Sequence, residues 1–293
     1  MGVQLFVNGI SLGAVYALIA VGFALIFSVL KFSNFAHGGM VSACAYIGYF
    51  FQSSFSPPQS IFVTIFFTAV CGVVIVIVMD TIGFRRLRRN KSPGIYNFLS
   101  SLAFAIMIEQ ILSVVFGKNL HAYPPIFKQN NFEIFGLRFS TISMMILTVS
   151  LVILVILMLI IDKTKIGLAI RAVAINPDTS QLMGINSNFV VFSVLITAGF
   201  LAGISGVFLG VRYSVYPAVG SIMMLKGFYA SIIGGLGSLG GAIAAAILLG
   251  LIEMFLTYFF GAIVTPVILF VIMLVFLFLR PQGISGRIAK EKV

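Results

Sequence analysis

Four ionisable side chains fall inside or at the edge of long apolar runs: His37, Glu109, Lys226 and Glu253. A charge taken out of water is costly unless it is paired or put to use, so each marks a candidate functional interior. The structural alternative is a side chain near a helix end that snorkels to the interface or pairs within a bundle. No nucleophile–base pair accompanies them, and HExxH and paired-cysteine zinc patterns are missing from the sequence. Catalytic residues, metal ligands and cofactors are therefore not assigned, and the chain is not expected to be an enzyme. A GxxxxGK[ST] loop is missing too, so any ATP hydrolysis belongs to other chains.

Lys226 and Glu253 bracket the run Gly234-Gly235-Leu236-Gly237-Ser238-Leu239-Gly240-Gly241. Its GxGxxG pattern lacks the strand and the acid about 20 residues on that dinucleotide binding requires. Glycines at this density cost a continuous helix up to ~1 kcal/mol each. They suit a break where backbone approaches a neighbour or a permeating solute, and Gly235 and Gly237 join the pathway candidates. A second polar patch, Ser33-Asn34-Phe35-Ala36-His37-Gly38-Gly39, interrupts the first two apolar stretches. Asn34 and His37 there either face a pathway or close a tight turn.

Residues 162–188 carry a different signal. Asn176-Pro177-Asp178 is a helix start, with Asn as N-cap, Pro at the first helical position and Asp in the first turn. The helix is predicted to run through Met183 and stop at Gly184. It is either a capped surface helix or a rigid peg that couples to a partner. Gly199, Gly203, Gly206 and Gly210 share one helix face, which predicts close packing on another helix in this chain or in a partner subunit.

The elements that must hold these residues are membrane spans. Hydrophobic residues make up 60% of the 293, charged residues 9%, and mean hydropathy is +1.17; soluble domains carry about 25% charge. Candidate spans are 5–30, 35–51, 61–80, 97–116, 141–161, 189–212, 224–260 with a break, and 263–280. The expected fold is an all-α polytopic bundle of about eight or nine spans with at least one broken helix. One transmembrane domain over residues 1–293 is expected. The first run lacks a basic leader and is too long for a cleaved signal. The net charge of +11 is concentrated in Arg85, Arg86, Arg88, Arg89 and Lys91 and in Arg280, Arg287, Lys290 and Lys292, each group following an apolar stretch. That is the placement of cytoplasmic loops, not of a nucleic-acid platform. Counting spans back from residues 85–91 puts the N-terminus outside, 117–140 outside and 162–188 in the cytoplasm. Cys44 and Cys71 lie in apolar runs and read as packing residues.

Several segments together resemble the LivH-type permeases of branched-chain amino-acid ABC importers. They are Asn8 to Gly22, Phe32-Ser33-Asn34-Phe35-Ala36-His37-Gly38, Ile166 to Ala172 with Leu182-Met183-Gly184-Ile185-Asn186, Lys226-Gly227-Phe228, Gly234 to Ser238, Gly250-Leu251-Ile252-Glu253 and Arg280 to Arg287. The resemblance implies a bacterial inner-membrane importer. It would pair this chain with a homologous second permease, two cytoplasmic ATP-binding subunits and an extracytoplasmic substrate-binding protein. Coupling would fall to Arg171, Asn176, Asp178, Leu182 and Gly184, and the pathway to Asn34, His37, Lys226, Gly235, Gly237 and Glu253. Glu109-Gln110 departs from the family pattern, where uncharged Gln-Asn is common, and no transport role is carried over to Glu109. The full Glu-Ala-Ala motif of other ABC permeases is also missing. The alternatives are a self-sufficient secondary transporter or channel, and an ABC permease for urea or short amides.

Overall fold

Apolar chain in a lipid phase must satisfy its backbone hydrogen bonds within itself, and helices form where the spans were expected. The computed structural model describes residues 2–55, 59–90, 92–124, 131–134 and 137–285. Its helices are α1 Gly2–Leu30, α2 Ala36–Ser53, α3 Ile61–Met79, α4 Arg85–Arg89, α5 Gly94–Phe116, α6 Thr141–Lys163, α7 Lys165–Ile175, α8 Pro177–Leu182, α9 Ser187–Tyr213, α10 Val219–Gly234 and α11 Leu239–Leu279. A π-helical turn, Asp80–Phe84, joins α3 to α4. Before α6 stands a small antiparallel hairpin that the sequence pattern did not signal, β1 Asn131–Ile134 and β2 Leu137–Ser140, with Asn131 opposite Ser140. Ser56-Pro57-Pro58 between the second and third expected spans, Pro125, Lys128 and Asn130 of the expected outer connection 117–140, Lys91, and the tail residues Arg287, Lys290 and Lys292 lie outside the described residues.

Among the described residues six helices are long and apolar enough to cross a bilayer: α1, α3 continued through α4, α5, α6, α9 and α11. The last is two arms. At Gly261 φ is 80° and ψ is 164°, outside the helical range. The arms fold back, because Thr257 and Thr265 join hydroxyls at 3.3 Å and the Ile284 amide reaches the Ile233 carbonyl at 2.8 Å. Adding α2, α10 and the second arm of α11 gives nine passes among the described residues. Three of these follow residue 213, which brings the chain's basic tail to the same side as residues 85–91.

One end of the bundle collects Lys31, Arg85 to Arg89, Lys163, Lys165, Arg171 and Arg280, with the turn 235–238. Among the described residues the opposite end has Lys118, Arg138 and Arg212. The positive-inside rule makes the first end cytoplasmic.

Helix α1 is the axis of the bundle, buried on all sides from Leu12 to Ile26 and packed on α6, α9, α10 and α11. A helix apolar all round has to be enclosed. Its approach to α11 depends on glycine: a Cβ on Gly13 would stand 2.6 Å from the Ile247 Cα. The predicted glycine face of α9 is satisfied within this chain, Gly203 lying on Thr68 and Ala69 of α3 and Gly206 on Val41 and Ala45 of α2.

Candidate functional site

Lys226 on α10 and Glu253 on α11 form an ion pair, Nζ to Oε1 at 2.5 Å. Tyr16 of α1 completes the cluster: Lys226 donates to its hydroxyl at 2.9 Å, and that hydroxyl donates to Glu253 Oε2 at 3.0 Å. The ammonium also stands 5.1 Å from the Tyr16 ring centroid, within cation–π range. Lys226 lies seven residues into α10 and Glu253 eight before Gly261, so both sit ~10–12 Å below the outer helix ends at 1.5 Å per residue. Three helices thus meet at one polar point within the membrane.

That point borders a cavity of about 570 Å³ opening towards the outer face, which Asn8, Ser143, Arg212, Tyr213 and Thr257 also line. Arg212 donates to Ser11 at 3.4 Å, and Ser11 donates to the Ser143 carbonyl at 2.8 Å. A cavity with two cations and a carboxylate on its wall can hold a zwitterion by charge complementarity.

Asn34 and His37 lie deeper towards the cytoplasm, both buried. Asn34 Oδ1 accepts from the Ala36 amide at 3.2 Å, closing the turn into α2. Its Nδ2 and both ring nitrogens of His37 have no hydrogen-bond partner among the described residues. The Cε1–Nε2 edge of the imidazole packs against Gly22 of α1.

The glycine run breaks the helix, as a turn at the cytoplasmic end of the bundle. Gly235 (φ 102°) and Gly237 (φ 88°) take left-handed backbone, and the Ser238 side chain caps α11 by accepting from the Gly241 amide. Close approach falls elsewhere, between the backbones of Gly234 and Gly241, whereas a Cβ on Gly237 would meet nothing nearer than Ser28 Cβ at 3.7 Å. Gly237 lines a cytoplasmic cavity of about 840 Å³ with Lys31, Met158, Arg171, Leu239 and Ser285. Gly235 packs on the tail at Gly283.

Of the cytoplasmic residues, Arg171 folds back from α7 onto the end of α6, donating to the Ile161 carbonyl at 3.0 Å and facing Asp162 Oδ1 at 3.4 Å. Asn176 Oδ1 accepts from the amides of Asp178 and Thr179, each at 3.0 Å, and so caps α8. Asp178 is exposed in the first turn. Gly184 ends the segment at φ 84°. Leu182, the last residue of α8, is 88% exposed and the C-cap Met183 80% exposed. Helix α7, capped by Thr164, extends this cytoplasmic unit beyond the single short helix expected. Glu109 is half-buried on α5, apart from the cluster around Lys226.

The sequence from residue 5 to 278 matches the family described as branched-chain amino acid transport system, permease component. The chain belongs to this family. The permease is 28% identical over 301 residues to the high-affinity branched-chain amino acid transport system permease protein BraD of Pseudomonas aeruginosa, covering 99% of this chain and 97% of that one. It is 27% identical to the corresponding permease protein LivH of Escherichia coli K12, with the same coverage. Among solved structures, PsaBC from Streptococcus pneumoniae in complex with Fab shares the fold, with a TM-score of 0.52 at 14% identity over 95% of this chain and 91% of that one. The permease is therefore a multi-pass membrane protein of a transport system.

Tyr16 and Arg212 were not singled out by residue type. A tyrosine in an apolar span is ordinary, and Arg212 reads as a span-end anchor. Asp80 was also passed over, although an acid eight residues before Arg88 was a signal. The two pair at 2.6 and 3.0 Å, Arg88 Nη1 and Nη2 donating to Asp80 Oδ1 and Oδ2 respectively.

Proposed function

We propose that this permease carries branched-chain amino acids inward across the bacterial inner membrane, as one of two membrane-spanning subunits driven by separate ATP-binding subunits and loaded by an extracytoplasmic binding protein. The observation that carries this reading is the Tyr16–Lys226–Glu253 cluster on the wall of the outer cavity. A zwitterion released there finds a cation and an anion already desolvated and facing each other, so charge pairs can exchange instead of being created in a low dielectric. The path continues inward past Asn34 and His37 to the cytoplasmic cavity at Gly237. Gly235 holds the turn that shapes its lower end.

Helices α7 and α8 are the coupling element in this reading. Arg171 ties them to α6, Asn176 and Asp178 stabilise the start of α8, Gly184 ends it, and Leu182 faces the motor. The bundle then needs two states whose balance ATP and substrate bias differently.

The test is reconstitution. Liposomes containing the whole transporter should accumulate labelled leucine only with ATP and binding protein. Glu253→Gln should reduce uptake sharply while all subunits still co-purify. Leucine uptake by the permease alone would establish a self-sufficient carrier and end the proposal.

A further inference from the structure

The π-helical turn builds a second site at the other end of the molecule. The Arg85 amide reaches back five residues to the Asp80 carbonyl. This wider turn underwinds the helix enough for residues eight apart to share a face. Asp80 and Arg88 consequently meet, and their charges cancel. Arg85, Arg86 and Arg89 remain exposed, with no ion pair among the described residues. They line a cleft of about 830 Å³ between α4 and the start of α9, whose other wall carries Asn188, Phe189 and Phe192.

The cleft has two unlike parts. At its cytoplasmic rim stand three uncompensated guanidiniums and the exposed polar first turn of α9. Towards the membrane its wall is Ile77, Phe189 and Phe192, and Phe189 is 57% exposed. Ile77 lies eight residues below Arg85, ~12 Å along the helix. An acidic protein segment would satisfy the rim and leave the rings bare. A free anion would do the same. A phospholipid matches both parts, with its phosphate on the arginine forks and its acyl chains along the rings.

We infer that this cleft binds the headgroup of an anionic phospholipid of the cytoplasmic leaflet. The site differs from the general excess of positive charge on cytoplasmic loops, because it is a shaped pocket shared by two helices with one acid neutralised inside it. A bound lipid would bridge α4 to α9, the helix that enters the bundle directly after α8.

The experiment uses the whole permease in mild detergent and native mass spectrometry, with phosphatidylglycerol as the probe and phosphatidylcholine as the neutral comparison. Phosphatidylglycerol should be retained in preference. Arg85→Gln/Arg86→Gln/Arg89→Gln should weaken it roughly tenfold or more. Asn188→Asp puts a negative charge in the cleft and removes no arginine. An acid in the first turn of α9 favours the helix, so that variant keeps its melting temperature. It should also lose phosphatidylglycerol, whereas Gln181→Glu on exposed α8 should not. Equal losses for Asn188→Asp and Gln181→Glu would reduce the effect to general charge and overturn the site. Unchanged retention in every variant would overturn it as well. Displacement of the lipid by millimolar inorganic phosphate would identify a free-anion site. Loss of a co-purifying ATP-binding subunit from the triple variant, with lipid retention unchanged, would assign the cleft to a protein partner.

Discussion

The imidazole of His37 lies on the bare Cα of Gly22, so close that a Cβ there would stand 2.7 Å from both Cε1 and Nε2. Helix α1 can pass the start of α2 at this depth only because residue 22 has no side chain. Gly22→Ala should cost about 1–3 kcal/mol by overpacking. His37→Ala removes the ring that is in the way, so the double variant should recover most of the loss. The measurement is thermal unfolding followed by the reaction of buried Cys44 with a thiol-reactive fluorophore. Additive losses in the double variant would mean that the two residues are not coupled.

The Lys226–Glu253 pair can be separated into a structural and a transport role. Lys226→Met leaves Glu253 buried with only Tyr16 as a partner, and stranding a buried charge costs about 3–5 kcal/mol. Lys226→Met/Glu253→Leu removes both charges, and its melting temperature should return close to the parent value. Leucine uptake should stay lost in both variants. An apolar pair that transports normally would make the ion pair a fastener with no part in the pathway.

The sequence made the lone charges and the glycine run conspicuous because each violates what a lipid-facing helix tolerates. Asn176 and Gly184 were equally legible, since caps are local chemistry. Partnership was not. Tyr16 lies 210 residues from Lys226 and 237 from Glu253, and only the packing of α1 against α10 and α11 brings the three together. The depth of the glycine break was hidden as well, because it depends on α10 being only 16 residues long. The π-helical turn at Asp80 left no pattern in residue type, and the β1–β2 hairpin is too short to show an alternation.

Gly237 is needed for its backbone angle, not for space. An L-residue held at φ 88° pays roughly 1–2 kcal/mol, and the open surroundings add little for a larger side chain. Gly237→Ala and Gly237→Leu should therefore destabilise by similar amounts, with Gly237→Asn milder because asparagine tolerates this region. Gly241→Ala should be worse than any of them, since its Cβ would strike the Gly234 carbonyl. Melting temperatures of the four variants give the order. Leucine at 237 much worse than alanine would show that a neighbour approaches there after all.

Leu182 gives the sharpest test of the coupling surface. Its side chain is 88% exposed, and Met183 and Ile175 are similarly bare at 80% and 86%. Three apolar residues on a capped cytoplasmic unit are costly to leave in water and suit burial against a partner. Leu182→Asp changes a residue that is almost fully exposed among the described residues, so its melting temperature should move by no more than ~0.5 kcal/mol equivalent. Under the proposed reading the same change places an unpaired charge in an apolar contact. Recovery of the ATP-binding subunits in a mild-detergent pull-down should fall, and leucine uptake should fall with it. Asn176→Ala separates docking from helix formation: losing the cap costs about 1 kcal/mol and frays α8 with Leu182 still in place, so the docking defect should be weaker. Full subunit recovery and full uptake with aspartate at 182 would remove α8 from the coupling surface and leave the cytoplasmic end of the bundle to be searched elsewhere.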